Sequence, residues 1–454
     1  MKYRKPSEDL SQVRFGDKRL DKRLEKTVES MTGSSQTSIL GRCGCRSDAK
    51  AFYALLSNEK FSHKQIIEAA GNATIERIKS SGITSVLLPQ DTTDINLNGH
   101  KKTEGLGYSS NHTKGIQVHS CLALTPEGVS LGLLSQQYGT RKESKSGLAA
   151  EKKKRRPIEE KESYRWLEGV RESLRQMPDD VMPIIICDRE GDFYELYAEM
   201  LSLGAMFVVR IVQNRTTDEG ERSIHQIRRT KACGEVEISV PRDTRKNTPP
   251  RTAKMEVAYR EVTIVKHRRI STKVPEQLTL NLIRITEIGD TKEPIEWILA
   301  TNMSLASVDD AMNSVDYYVH RWKIERFHYI LKSGCQVEKI GQRTYDRILP
   351  VILIYSVIAA FILAMTYFAR ATPNAPCDTF LQDDEWKLLY RLVTRKANPP
   401  SEPYSIKTAV AYLGELGSFR HSLSDGDYGV KAIWKGLFKL FDAFDIVNRL
   451  MGQV

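Results

Sequence analysis

Two aspartates and a glutamate carry the first chemical signal in this chain. Asp91 ends the apolar stretch of "SVLLPQD", and Asp188 ends that of "PIIICD". Each follows a short run of apolar residues, Val86 to Leu88 and Ile184 to Cys187. If those runs are neighbouring strands, both carboxylates emerge at one sheet edge. Open α/β sheets place their sites at the carboxyl ends of strands. Two converging carboxylates repel each other unless something positive lies between them. A divalent cation resolves the conflict, and oxygen-only ligands suit Mg²⁺ or Mn²⁺. A third acid is needed to hold a second ion.

The stretch "DYYVHRWKIERFHYILKSG", residues 316–334, supplies one. It reads as a single helix. At about 100° per residue, Tyr318 and Lys332 each lie about 20° from Glu325 and Arg321 about 40°, all within an arc of about 60°. Glu325 is thus flanked by a phenol, a guanidinium and an ammonium. That pattern fits a metal ligand with phosphate clamps. The plainer reading is an exposed i,i+4 Arg–Glu pair beside an unrelated lysine. The two strand-end aspartates and the basic chain favour the first.

The elements that would position these groups can be read from the pattern. Residues 17–31 form a helix capped by Asp17, with Leu20, Leu24, Val28 and Met31 as its apolar stripe and five bases around it. A helix from Ser47 and another from Ser62 to Gly82 follow, giving a helical domain over about residues 1–75. From about residue 76 to 370 the chain alternates strands and helices, an α/β core. "GIQVHSCLALTPEGVSLGLLSQQYG" is a β-hairpin with a Pro/Gly turn. The charged stretch from about residue 149 reads as an exposed loop leading into a helix. From about residue 214 to 295 the sequence is basic and turn-rich, an inserted antiparallel sheet. Residues 371–454 are helical and end in a stripe of Trp434, Leu437, Leu440, Phe441, Phe444 and Val447, either core or the face of a partner helix.

The chain has 454 residues, with 68 Lys and Arg against 57 acids and a formal charge of +11. Such an excess points to a polyanion, nucleic acid first. The seven cysteines are scattered, with no CxxC pair, which supports neither a zinc ribbon nor a disulfide framework and fits a reducing cytosol. The N-terminal segment has no apolar core of a signal peptide. One uncharged run, Val351 to Ala369, is long enough to cross a bilayer. Standing alone after Pro350, it is read as a buried helix, so no membrane is expected.

The order "PQDTTD", then "ICDREGD", then Tyr-x2-Arg-x3-Glu-x6-Lys resembles the DDE transposases of bacterial insertion sequences, those of composite transposons most of all. The likeness runs over nearly the whole chain. It implies a ribonuclease-H-like catalytic core in which Asp91, Asp188 and Glu325 bind two Mg²⁺, with Mn²⁺ able to substitute. It implies that Tyr318, Arg321 and Lys332 hold DNA-end phosphates, that Trp297 stacks an extruded base, and that Arg210 contacts DNA. Arg19 and Arg23 match positions that read the transposon end. The partners implied are double-stranded DNA, as transposon ends and as target, and a second copy of the chain, joined through the C-terminal helices. The activity implied is cut-and-paste transposition through a hairpin intermediate, in a bacterial cytoplasm at the nucleoid. The sequence departs from the family pattern at Lys323, Arg326 and Tyr329 and through much of the basic insertion. Trp322 reads as a DNA contact or as core. A catalytically silent DNA-binding regulator and a host nuclease on the same fold are the competing functions.

Overall fold

The computed structural model describes residues 2–33, 39–43, 45–110, 112–141, 156–240, 249–270, 273–289, 294–417 and 428–451. Residues 149–155 of the charged stretch expected to be an exposed loop fall outside them.

The N-terminal helices are α1 (Pro6–Leu10), α2 (Lys18–Thr32), α3 (Ile39–Cys43), α4 (Arg46–Leu56) and α5 (His63–Ser81). Asp17 caps α2 by accepting the Arg19 amide, and Leu20, Leu24, Val28 and Met31 are buried as the periodicity requires. Helix α4 starts one residue earlier than expected, because the Cys45 sulfur accepts the Asp48 amide. Ser62 caps α5, and Gly82 ends it in the left-handed conformation that glycine adopts without strain.

The core strands are β1 (Ser85–Asn96), β2 (Gly115–Leu124), β3 (Ser130–Gly139), β4 (Met182–Cys187), β5 (Met206–Arg210), β6 (Gly234–Val240), β7 (Arg251–Val265), β8 (Gln277–Glu287) and β9 (Glu296–Thr301). Among the described residues they form one mixed sheet in the order β3-β2-β1-β4-β5-β9-β8-β7-β6. Strands β1, β4 and β5 run parallel, and every other neighbouring pair is antiparallel. The basic insertion is therefore not a separate sheet. Its strands hydrogen-bond onto the core through β9, and it also contains a helix, α8 (Ser223–Arg229).

Alternation along the strands divides the core into two layers. Leu87, Ile184 and Ile186 point to one face, while Val86, Leu88, Ile185 and Cys187 point to the other. The first face is covered by α9 (Val308–Val319), α10 (Trp322–Tyr329) and α11 (Tyr345–Ala371). The second is covered by α6 (Tyr164–Leu174), α7 (Tyr194–Ser202) and α8. The uncharged run lies in α11 and is buried on all sides within the core. The helix begins at Tyr345 rather than after Pro350. Pro350, the sixth residue of the helix, lies past its first turn and leaves the Asp346 carbonyl without a backbone donor from that position.

Helices α12 (Asp383–Thr394), α13 (Ile406–Leu416) and α14 (Val430–Met451) complete the chain. The apolar stripe of α14 is split. Trp434, Leu437 and Leu440 are buried within the protomer, so a partner cannot use them. Ile446 and Leu450 are exposed instead.

Candidate functional site

Parity along the sheet decides where the acids go. Asp91 shares its face with Leu87, and Asp188 with Ile184 and Ile186, so both carboxylates belong to the α9–α11 side. The parallel ladder pairs Pro89 with Ile186. Continued two residues, that register sets Asp91 opposite Asp188, on strands that run about 4.8 Å apart. Asp188 follows β4 directly, as expected. Asp91 does not end its strand. Strand β1 continues to Asn96 because it keeps pairing with β2, Asp91 opposite Ser120, after β4 has stopped. What Asp91 marks is the point where β1 loses its parallel neighbour.

Each carboxylate is oriented by a backbone amide close to its own residue. The Thr92 N–H donates to Asp91 Oδ1 at 2.8 Å, and the Glu190 N–H donates to Asp188 Oδ1 at 2.8 Å. Asp91's carboxyl is pushed up from 3.8 to about 7, first by burial and then by the charge of Asp188. Arg321 and the Thr92 amide pull it down, and Glu325 adds to the rise. The charges of both other acids thus act on Asp91.

The expected single helix is broken. Helix α9 ends at Val319, α10 begins at Trp322, and a π-helical turn covers Ile330–Gly334. The motif still converges. Arg321, at the break, donates to Glu325 Oε1 at 2.5 Å and reaches Asp91 Oδ2 at 3.7 Å. These two contacts on one planar guanidinium keep the two carboxylate oxygens within about 9 Å of each other. Lys332, in the π turn, donates to Thr93 Oγ1 at 3.3 Å, on the same strand as Asp91.

An aromatic and cationic chain extends from there. Arg321 stands 5.8 Å from the Tyr318 ring. Tyr318 meets Trp297 edge to face at 5.4 Å, and Arg210 stands 5.8 Å from the Trp297 ring. Burial raises the Tyr318 phenol, so it stays neutral and can donate. Trp297 is only partly buried. Trp322 is exposed, which removes the core reading. Arg19 and Arg23 stand apart on α2, exposed and half-exposed.

Among the described residues, no three Asp, Glu, His or Cys side chains already converge as the ligands of an ion would. The donors nevertheless fit one. They are all oxygen, Asp91 is left at about 7 beside Asp188, and the positive charge now answering Asp91 and Glu325 is the guanidinium of Arg321. His328 is buried and its imidazole is pushed down to about 3, by burial and then by Lys332. That leaves it neutral, packed against Phe327.

Three groups brace the site, and sequence reasoning missed two of them, His119 and Arg165. His119 bonds Thr92, Arg165 bonds both Thr92 and Glu190, and the buried Asp192 takes the Val212 and Gln213 amides, the Tyr197 hydroxyl and Arg215. Asp192, which reads as a surface or supporting acid in the sequence, anchors the chain just after Arg210 to the Asp188 loop. The nearness of Asp192 to Asp188 in "DREGD" is the signal behind that reading, and its burial selects the supporting role. Nothing in the spacing of His119 or Arg165 points to β1.

Comparison with known proteins finds two likenesses. A cryo-EM structure titled as a piggyBac transposase synaptic complex with hairpin DNA is similar at a TM-score of 0.36 and 9% identity, the match covering 81% of this chain and 74% of that one. Residues 7–61, spanning α1 to α4, match the family model described as "Transposase DNA-binding", so the N-terminal helices are similar to the DNA-binding part of transposases.

Proposed function

We propose that this chain is a cut-and-paste DNA transposase of the DDE type. It would bind the inverted repeats at transposon ends, cleave them through a hairpin intermediate and join the 3′ ends to target DNA. The observation that carries the reading is that Asp91 and Glu325 share one arginine, Arg321, while the charge of Asp188, just past β4, acts on Asp91. Support comes also from the match of residues 7–61 and from the strand order β3-β2-β1-β4-β5 with its antiparallel hairpin, which suits a ribonuclease-H-like core.

Asp91, Asp188 and Glu325 would hold two Mg²⁺, or Mn²⁺ in their place, and such ions lower the pKa of an attacking water or 3′-hydroxyl and neutralise the leaving oxygen. The remaining work falls to the chain's own groups. Asp91 gives up the proton it shares with solvent near pH 7. Arg321 and Lys332 present cationic donors to the phosphates beside the scissile bond, and the neutral Tyr318 hydroxyl adds a third. Trp297 offers a ring face for a base out of the duplex, a contact of about 1 to 3 kcal/mol against an extrusion cost of a few kcal/mol. Arg210, against that ring, adds a cation near the displaced strand. Arg19 and Arg23 on α2 contact the transposon end. A second copy of the chain pairs the two ends, using the exposed end of α14. The setting is the bacterial cytoplasm, at the nucleoid.

The test is nicking of a terminal inverted repeat taken from the flanks of the gene. The reading expects Mg²⁺-dependent cleavage that disappears in Asp188→Ala, followed by hairpinned ends and joining to target. End binding without any cleavage would instead identify a silent regulator. Cleavage without hairpins or joining would identify a nuclease.

A further inference from the structure

The parallel ladder between β1 and β4 stops at Pro89 and Ile186, before the two aspartates. Past that point no backbone pairing between these strands sets the distance from Asp91 to Asp188. One side chain spans the gap. Arg165, on α6 against the other face of the sheet, donates from Nε to Thr92 Oγ1 at 3.0 Å and from a terminal nitrogen to Glu190 Oε2 at 3.2 Å. Its third bond runs to the Glu162 carbonyl at 3.0 Å, and its side chain is 18% exposed. Thr92 and Glu190 are the two residues whose amides orient Asp91 and Asp188.

We propose that Arg165 is a positioning residue whose guanidinium fixes the separation of the two carboxylates by gripping the two residues that orient them. The inference rests on the reading of those carboxylates as ion ligands.

The support behind Thr92 is rigid. Its hydroxyl accepts from Arg165 and donates to His119 Nδ1 at 2.9 Å, and His119 Nε2 donates to Gln90 Oε1 at 3.1 Å. This order of protons needs a neutral imidazole, and burial together with Arg165 keeps His119 neutral. Trp166, next to Arg165 on α6, packs against the His119 ring at 4.6 Å. Gly169 lets the helix sit close, since a Cβ there would lie 2.6 Å from Gln90 Oε1. The planar fork of Arg165 suits two acceptors at fixed directions, which a lysine ammonium cannot reproduce.

The test is Mn²⁺ binding to the metal-free full chain, read by electron paramagnetic resonance. Arg165→Lys keeps the charge and loses the fork, and Thr92→Val keeps the shape and loses the acceptor. Each should weaken Mn²⁺ binding about tenfold, the scale for groups that orient metal ligands. The double variant should weaken it no further, because both cut the same link. Arg171→Lys, on the same helix but bonded to Glu199 and Tyr164, should bind as wild type. Wild-type binding in Arg165→Lys and Thr92→Val, with none in Asp188→Ala, overturns the positioning role and leaves the ion site standing. An equal loss in Arg171→Lys also overturns it, since helix packing would then be the cause. Undiminished binding in Asp188→Ala overturns both.

Discussion

Replacing Asp91 by asparagine should stabilise the metal-free protein, and by an amount that grows with pH. The carboxyl moves from 3.8 to about 7 on folding, with its side chain 16% exposed, so solvent screening removes little. That displacement corresponds to about 4 kcal/mol between the two protonation states. The sign follows from proton binding. Between about pH 4 and 7 the folded form keeps a proton that the unfolded chain has lost, so stability falls as pH rises through that window and levels off above it. Asparagine does not titrate. The gain of Asp91→Asn over wild type should therefore be about 2 kcal/mol larger at pH 8 than at pH 5.5. Urea unfolding in EDTA at both pH values measures it, and the difference between the two gains cancels groups that Asp91 does not touch. Saturating Mg²⁺ should stabilise wild type by about 2.7 kcal/mol at a hundred times the dissociation constant, narrowing the gap, and leave the variant unchanged. An equal gain at the two pH values would refute the reasoning, because Asp91 would then be carrying its charge at no cost.

Two further outcomes are expected. Trp297→Ala should slow hairpin formation more than the first nick, measured on radiolabelled ends in single-turnover reactions. Equal slowing of both steps counts against a stacking role. Gly169→Ala should destabilise the fold by about 1 to 3 kcal/mol in urea, because its methyl group would press on the Gln90–His119 pair. Unchanged stability would mean that α6 can move away from the sheet.

Much of this site was legible in the sequence because its parts are local. Asp91 and Asp188 announce themselves by following apolar runs. Tyr318, Arg321, Glu325 and Lys332 fall on one face by helical arithmetic. The arithmetic succeeded although the helix breaks at His320 and Arg321, since short turns at α9, α10 and the π segment kept the four side chains on the same side of the sheet. What was not legible depends on pairing between distant segments. The length of β1 beyond Asp91 is set by its hairpin with β2, which no residue before Asn96 reports. The fusion of the basic insertion to the core sheet is set by the β5–β9 pairing. The bracing of Thr92 comes from His119 on the neighbouring strand β2 and from Arg165 on a helix 73 residues away, where local pattern has no reach. The apolar stripe of α14 read equally as core or partner face, and burial of Trp434, Leu437 and Leu440 resolves it for those three only.

The most direct test is diffraction from crystals soaked in Mn²⁺, with data collected at the manganese absorption edge. The proposed chemistry predicts anomalous density between Asp91, Asp188 and Glu325, with carboxylate oxygens about 2.0 to 2.2 Å from it and Arg321 displaced from Glu325. The density should be absent from Asp188→Ala crystals. Asp91 and Glu325 still held by Arg321 at saturating Mn²⁺, with no density between the three acids, would contradict it.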